Sequence, residues 1–300
     1  METVSSKFFE KFKENEKKWD LLPEGSNVIM WYSGGKDSCA LLDLLLRFKE
    51  ERKFSLEAYL AAIPHLVYQS KDKNQQEAMR ANLDHWANRG IRINILNPVM
   101  PDGRAYKDDS ELDSFPTKCW GCEKIKSAST LNAVIRAQKK DFTIVTTHNT
   151  YDVLGYVMEM VHIAGGLENG WQDLKPGSLQ YNRVMTLAGR CYPKFALKRG
   201  LTITQARPLI DFPGPSIKGY IDERKIPLIP ECCPKIGGDG FRIFKRVPME
   251  GADLIVKIHP ESDGSRFAED YGRIIRFARD AKILPPAEEV ASNYPPSASY

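Results

Sequence analysis

An apolar run, Val28-Ile29-Met30-Trp31-Tyr32, breaks into Ser33-Gly34-Gly35-Lys36-Asp37-Ser38 and continues into Cys39-Ala40-Leu41-Leu42. Strand, glycine turn and helix follow one another without a spacer, and few arrangements constrain a fold more. Gly34 and Gly35 carry no Cβ and can take positive φ, so consecutive backbone N–H groups can converge on an anion. Ser33 and Ser38 add hydroxyls, the helix start adds the positive end of its dipole, and Lys36 adds a full charge. The stretch reads as a phosphate cradle. It lacks the Walker A spacing G-x-x-x-x-G-K-[ST], because Ser33 stands directly before the glycine pair and Asp37 follows the lysine. A kinase-type phosphate loop is therefore not expected.

Around this turn, strand patterns alternate with helix patterns. A helix over 5–20 places Phe8, Phe9, Phe12 and Trp19 near one face, and Pro23-Glu24-Gly25 ends it. Beyond the turn, a helix runs to Arg52, a strand covers 56–63 up to Pro64-His65, a polar helix covers 74–88 and a strand covers 91–96. A Pro-, Gly- and Asp-rich loop over 97–118 delivers Lys118-Cys119-Trp120-Gly121-Cys122 and a helix to Lys139. A fourth strand, 142–147, ends in His148-Asn149-Thr150-Tyr151-Asp152, with a helix over 153–164, a loop over 166–175, a strand over 201–206 and a helix over 216–224 beyond it. Such alternation predicts an α/β fold, a doubly wound and mainly parallel sheet flanked by helices, with ligands at the carboxyl ends of the strands. Ser33 and His65 would lie there, His65 as a loop residue or facing nucleotide. Three parts are expected: an N-terminal helix over 1–24, the α/β body over 25–245, and an extension over 246–300 with one helix over 265–281. The last fifteen residues or so are expected to be disordered on composition.

Hydrophobic residues make up 42% of the 300 and charged residues 27%, the balance of an ordinary globular protein. No apolar stretch approaches a membrane span and no signal-peptide pattern opens the chain, so the expectation is no membrane and a cytoplasmic location. A net charge of +4 falls short of a strong nucleic-acid footprint. Six cysteines in a reducing compartment favour metal or redox chemistry over a disulfide framework. The Cys119-x-x-Cys122 spacing admits a structural zinc site, a redox dithiol or part of an iron–sulfur site. The distant candidates for further ligands are Cys191 and the adjacent pair Cys232-Cys233. Neighbouring cysteines point in different directions, so one of that pair would join Cys119 and Cys122, and three thiolates suit a 4Fe-4S cluster with one open iron. Cys39, inside the helix after the turn, is expected to be a small core residue.

The Ser33–Ser38 string resembles the signature of the PP-loop, or adenine nucleotide alpha-hydrolase, superfamily, whose HUP-like, Rossmann-like enzymes grip the pyrophosphate of ATP. With the later C-x-x-C, a strand ending in His148 with Asp152 following, the Arg207-Pro208-Leu209 segment and a late cysteine after Ile229-Pro230, residues 25–240 are similar to the tRNA 2-thiocytidine synthetase family and its 2-thiouridine relatives. The resemblance implies an ATP-dependent sulfurtransferase with ATP, Mg2+ and a 4Fe-4S cluster. Ser33, Gly34, Gly35, Lys36, Asp37 and Ser38 would hold ATP, with His148 beside it. Cys119, Cys122 and Cys233 would ligate the cluster, with Cys232 in reserve. Asp37, Asp152 and Cys233 would take catalytic roles. Asp152 reads equally as a magnesium ligand, a group positioning the attacked carbonyl, or a helix cap. Cys191 has no counterpart.

The family's segment after this strand reads His-His-x-Asp-Asp, then a hydrophobic pair and Glu. Here the second His, the first Asp and the Glu are replaced in His148-to-Gly155. That departure leaves two substrates open, tRNA and a free nucleotide or small molecule. The implied partners are that substrate and a sulfur donor, a cysteine desulfurase or inorganic sulfide; a homodimer is admitted. Lys11, Lys13, Lys17 and Lys18 are either a solvated face or a tRNA-facing one. An ATP-dependent lysidine- or amide-forming ligase with structural zinc is the rival enzyme class.

Overall fold

The computed structural model describes residues 3–63, 72–115, 118–137, 141–199, 201–230 and 264–294. Among these, β1 (Asn27–Trp31), β2 (Ser55–Ala61), β3 (Ile93–Leu96), β4 (Phe142–Val145), β5 (Lys194–Arg199) and β6 (Leu201–Ala206) form a six-stranded sheet in the order β3-β2-β1-β4-β6-β5. All neighbours pair in parallel except the β5–β6 hairpin at one edge. The α/β fold with a mainly parallel sheet is therefore as the alternation of patterns predicts. β1 sits centrally, with Met30 opposite Ala58 on one side and Val145 on the other. Val28, Ile29 and Met30 are all fully buried, because helices cover both faces and leave no solvated side to the strand.

The two-residue period of the strands divides the core. Val28, Met30, Ala58 and Leu60 face one layer, filled from α1 (Val4–Trp19), α2 (Lys36–Glu51), α3 (Lys73–Ala87) and α7 (Gly214–Arg224). Ile29, Tyr59, Ile144 and Ile203 face the other, against Leu131 and Val134 of α4 (Lys118–Ala137). Beyond β4, α5 (Thr150–Ala164) and α6 (Leu179–Cys191) pack with β5 and a C-terminal group of helices, α8 (Gly264–Glu269), α9 (Tyr271–Asp280) and α10 (Ala287–Asn293).

α1 starts where the Thr3 side chain accepts the Ser6 N–H, and it buries Phe8, Phe9 and Phe12 as its pattern predicts. The Phe8 ring meets those of Phe212 and Tyr220 at a tilt, with centroids 4.3 and 4.7 Å away. Its lysines lie along the outer side: Lys13 reaches Glu10 and Glu51, and Lys11 lies over Phe212 beside Asp211. α2 is tied to α7 and α3 by Asp43, whose fully buried carboxylate meets Arg89, Arg224 and the Tyr220 hydroxyl. Burial pushes the Asp43 pKa up, but Arg224, Tyr220 and Arg89 outweigh it and hold the group below its ordinary value.

The fold departs from the sequence reading in several places, the smallest being two short 3-10 turns, Asp109–Ser114 and Gly170–Asp173, inside the expected loops. α6 and β5 occupy 179–199, a stretch in which no element is predicted, because α6 begins at a Ser178 cap within polar sequence and shows its apolar side only once folded. The helix expected over 265–281 is two, broken where the Asp270 side chain caps α9. The expected disordered tail includes α10, where Val290 and Tyr294 are buried against α6 and β5. Short elements of this kind are stabilised by the surface they dock on, which composition does not report.

Removing the charge in Asp43→Asn leaves Arg89 and Arg224 facing a neutral amide, and is expected to lower folding stability by roughly 3–5 kcal/mol in urea unfolding. The native Asp43 contribution is present above the unfolded carboxylate pKa of about 3.9 and is lost as pH falls through the lower folded value, so the variant should show a shallower acid limb.

Candidate active site

The chain runs from β1 through β2 to β3 in one direction and places β4 and β6 on the other side of β1. The gap between the carboxyl ends of β1 and β4 is therefore the topological switch point, where open α/β sheets bind ligands. Tyr32 to Gly35 emerge there. Gly34 has φ +75°, a conformation that glycine holds without strain. Gly35 is the N-cap of α2, with no side chain bonded to the helix start. By contrast, Thr3, Asp72, Asn149 and Ser178 cap α1, α3, α5 and α6. The first-turn N–H groups of α2 are thus left for an acceptor from outside the helix, which suits an anion. Ser38 Oγ donates to the Gly35 carbonyl at 2.9 Å and lies 3.1 Å from Ser33 Oγ, while Lys36 Nζ bonds Asp37 Oδ1 at 2.5 Å. Ser33, Gly34, Gly35, Lys36, Asp37 and Ser38 are all on this one turn.

A buried polar knot underlies the turn. Trp86 Nε1 donates to the Tyr32 hydroxyl, which donates to Asn82 Oδ1, both at 2.6 Å. Asn82 Nδ2 in turn donates to the Pro227 carbonyl at 2.6 Å. Cys39 Sγ sits within this knot, 3.2 Å from Tyr32 Oη, and donates to the Gly34 carbonyl. Burial pushes its pKa up to about 11, so Cys39 is a neutral core thiol. Cys191 is likewise buried and pushed up to about 12. From the far side, the segment 226–230 lies against the turn: the Ile229 N–H donates to the Gly34 carbonyl at 2.9 Å. A Cβ added at Gly34 would sit 2.3 Å from Ile229 Cδ1. Cys232 and Cys233 follow this segment and, like His65, lie outside the described residues.

At the end of β4, His148 Nδ1 is 3.0 Å from Thr146 Oγ1, and its ring meets Tyr156 edge-on at 5.4 Å. Burial pushes the His148 pKa down to about 3, reinforced by Arg207 and Arg190 and opposed by Asp152 and Glu123. The ring is neutral at physiological pH. Asp152 closes a capping box on α5: Asn149 Oδ1 accepts the Tyr151 and Asp152 N–H groups, and Asp152 Oδ2 accepts the Asn149 N–H at 3.0 Å. Of the roles open to Asp152, the cap is the one the geometry displays.

Cys122 is half-buried in the first turns of α4 and packs against an apolar cluster of Tyr106, Leu112, Ile125 and Ile63, the last of which follows β2. The C-x-x-C turn and the phosphate turn therefore occupy the same carboxyl edge. Cys119 is on the same helix, and its side chain lies outside the described set. Among the described residues no group of three or more His, Cys, Asp or Glu side chains could hold a metal ion.

Several side chains that join these parts are not singled out by the sequence. Glu123, directly after Cys122, pairs with Arg190 of α6, and Arg190 lies over the Tyr156 ring. Burial raises the Glu123 pKa, but Arg190 and Arg183 outweigh it and hold the carboxyl low. Lys124 is pushed down to about 8 by burial and by Arg190. Arg183 grips Glu159 with two bonds of 2.6 and 2.9 Å and lies over Trp120. Arg183 and Arg190 are seven residues apart, two helical turns, and that spacing is the signal a helix assignment over 179–191 would have exposed. Arg207 is fully buried between the Tyr192 carbonyl and Gln205, with its Nε unpartnered, as is Asn149 Nδ2.

Gly34→Ala forces a Cβ into Ile229 at a left-handed φ. The strain should lower folding stability by about 1–3 kcal/mol in urea unfolding, and Ile229→Ala, which clears the space, should relieve part of it. In NMR titrations the His148 ring should stay flat from pH 8 to about 4. Its folded pKa lies below the unfolded value of about 6.5, so the unfolded state takes the proton first and His148 costs stability as pH falls from about 6.5 toward 3.

No family model matches the chain. It is similar to the U34-tRNA thiolase NcsA from Methanococcus maripaludis, whose structure holds a 4Fe-4S cluster: the TM-score is 0.59 at 17% identity, over 92% of this chain and 80% of that one. A looser likeness, TM-score 0.39 at 12% identity over 97% of this chain and 91% of that one, is to an NH3-dependent NAD synthetase from Campylobacter jejuni and carries no weight here. In sequence, 66 residues are 38% identical to a tRNA(Ile)-lysidine synthase from Persephonella marina, spanning 22% of this chain and 14% of the synthase. The chain therefore shares the α/β fold of the thiolase, with the Ser33–Ser38 turn at the switch point of its sheet.

Proposed function

We propose that the chain is an ATP-dependent sulfurtransferase that adenylates a carbonyl oxygen of a tRNA base and exchanges it for sulfur. One observation carries the reading: an uncapped phosphate turn and a C-x-x-C helix share the carboxyl edge of one parallel sheet. The named thiolase, of the same fold, acts on tRNA and holds a 4Fe-4S cluster, which supports the assignment.

A carbonyl oxygen is a poor leaving group and must first be activated. The base oxygen attacks the α-phosphorus of ATP and pyrophosphate leaves. Sulfide then adds at the carbon, and AMP departs with the original oxygen. The N–H groups opening α2, the Ser33 and Ser38 hydroxyls and Lys36 would bind the pyrophosphate as its charge grows. Asp37, bonded to Lys36, orients that ammonium, and Mg2+ would arrive with ATP. Neutral His148 can exchange hydrogen bonds with nucleotide or base but adds no charge. Asp152 holds the start of α5 and thereby the backbone around His148.

Cys122, at a helix start where a thiolate is favoured, fits the donor chemistry of an iron–sulfur site, with Cys119 and Cys233 as its companions. Such a cluster supplies an open iron able to carry sulfide. The sulfur donor is a cysteine desulfurase or inorganic sulfide, and a free nucleotide is the alternative acceptor. No described helix is long and apolar enough to cross a membrane.

The 66-residue match supports a second reading, a lysidine- or amide-forming ligase that uses the same adenylation and keeps its cysteines for zinc. Anaerobically purified protein should be brown, contain about four irons per chain and release AMP with thiolated tRNA. Colourless protein with stoichiometric zinc, and lysine or ammonia as the acceptor, would replace this reading with the ligase.

A further inference from the structure

Two cavities lie beside α9, in the C-terminal helical group and outside the site described above. One, of about 550 Å³, is walled by Trp19, Tyr192 and Tyr271 with Arg276 and Arg279. The other, of about 660 Å³, is walled by Trp171, Lys282, Leu284 and Glu288 and shares Arg279 with the first. Both are grooves open to solvent rather than enclosed sites, of a size that admits a small organic group, roughly 300–1,000 Å³.

The aromatic walls are held in place. Tyr271 donates its hydroxyl to the Cys191 carbonyl at 2.8 Å, and Tyr192 donates to the Pro285 carbonyl at 2.5 Å. Trp19 meets Tyr271 edge-on at 6.0 Å, and Lys18 Nζ lies 4.5 Å from the Trp19 ring centre. α9 buries Ile274, Ile275 and Ala278 and turns Arg276 and Arg279 outward. Arg276 has no ion-pair partner among the described residues, whereas Arg273 is held by Asp270. Across both cavities Arg276, Arg279 and Lys282 stand against Asp280 and Glu288.

We propose that this paired groove is an RNA-binding site that takes an unpaired base against the Trp19–Tyr271 pair and the flanking phosphates on Arg276, Arg279 and Lys282. Aromatic side chains beside a row of cations are what unpaired nucleotides bind, through ring and phosphate contact. An apolar helix would leave Arg276, Arg279 and Asp280 desolvated against it, and a bare anion would make no use of three aromatic walls. The inference rests on the tRNA reading of the active site and adds to it a second contact, made by the C-terminal helices, that holds the substrate away from the reacting base.

Binding of an unmodified tRNA transcript to the full chain, followed by anisotropy across a salt series, tests this. Arg276→Ala with Arg279→Ala should weaken binding ten-fold or more and flatten the slope of log K against log salt by about 1.4, at roughly 0.7 per phosphate on a single strand. Trp19→Phe should weaken it less than Trp19→Ala, and ATP binding should be unchanged in all variants. Wild-type affinity and slope in the double variant would overturn the cavity assignment and leave the tRNA reading standing. A wild-type chain that binds no tRNA would overturn both. Saturable binding of AMP or UMP at Trp19 without binding of tRNA would assign the cavity to a free nucleotide instead.

Discussion

Ile229 closes on Gly34 so tightly that its side chain fills the space a Cβ would need, while its N–H bonds the Gly34 carbonyl. Much of the site depends on that contact. The left-handed turn at Gly34 directs the N–H groups of α2 toward the switch point, and Ile229 prevents it from relaxing into a wider loop. Asn82 secures the same segment through the Pro227 carbonyl and continues through Tyr32 to Trp86. α2, α3 and the segment 226–230 are thereby locked beneath one turn. Buried polar networks of this kind rigidify when every member is satisfied, and a phosphate cradle gains from rigidity because its donors need not reorganise when charge develops.

Charge is distributed around the sheet according to the same logic. Asp43 neutralises Arg89 and Arg224 on the face away from the C-x-x-C helix, a structural use of a buried carboxylate. Near the carboxyl edge, Glu123 and Arg190 pair across α4 and α6, while Arg207 donates to the Tyr192 carbonyl and to Gln205 Oε1. The excess of arginine there, together with burial, keeps His148 neutral, and that excess is suited to a substrate that brings its own negative charge. The Glu123–Arg190 and Arg183–Trp120 contacts attach the cysteine helix to the helices that follow β4, so the two halves of the edge are mechanically connected.

How far the site could be read ahead of the structure varied with the range of the interaction. The phosphate turn is local: strand, glycines and helix start are contiguous, and every residue named there falls on the turn. His148 at the end of β4 and Cys39 as a core thiol were equally legible, from strand patterning and from position inside an apolar helix. Asp152 offered three roles, and the capping box it forms with Asn149 is visible only with coordinates. Glu123, Arg183 and Arg190 are not marked in the sequence because single charged residues look solvated there, and their partners lie far away along the chain, while Arg207 is marked only as part of the Arg207-Pro208-Leu209 segment. α10 escaped because a seven-residue helix exists by virtue of the α6 and β5 surface it covers.

Periodicity and the glycine turn alone determined that this chain makes a mainly parallel α/β sheet with a glycine turn between a central strand and a helix start, since both follow from residues within a few positions of each other. Tertiary structure decided which distant groups meet that loop. Ile229 reaches it from 195 positions away, the C-x-x-C helix arrives at the same edge over β2, and aromatic and basic residues from both ends of the chain gather around α9. Such meetings depend on how helices pack across the sheet, and no local pattern encodes that.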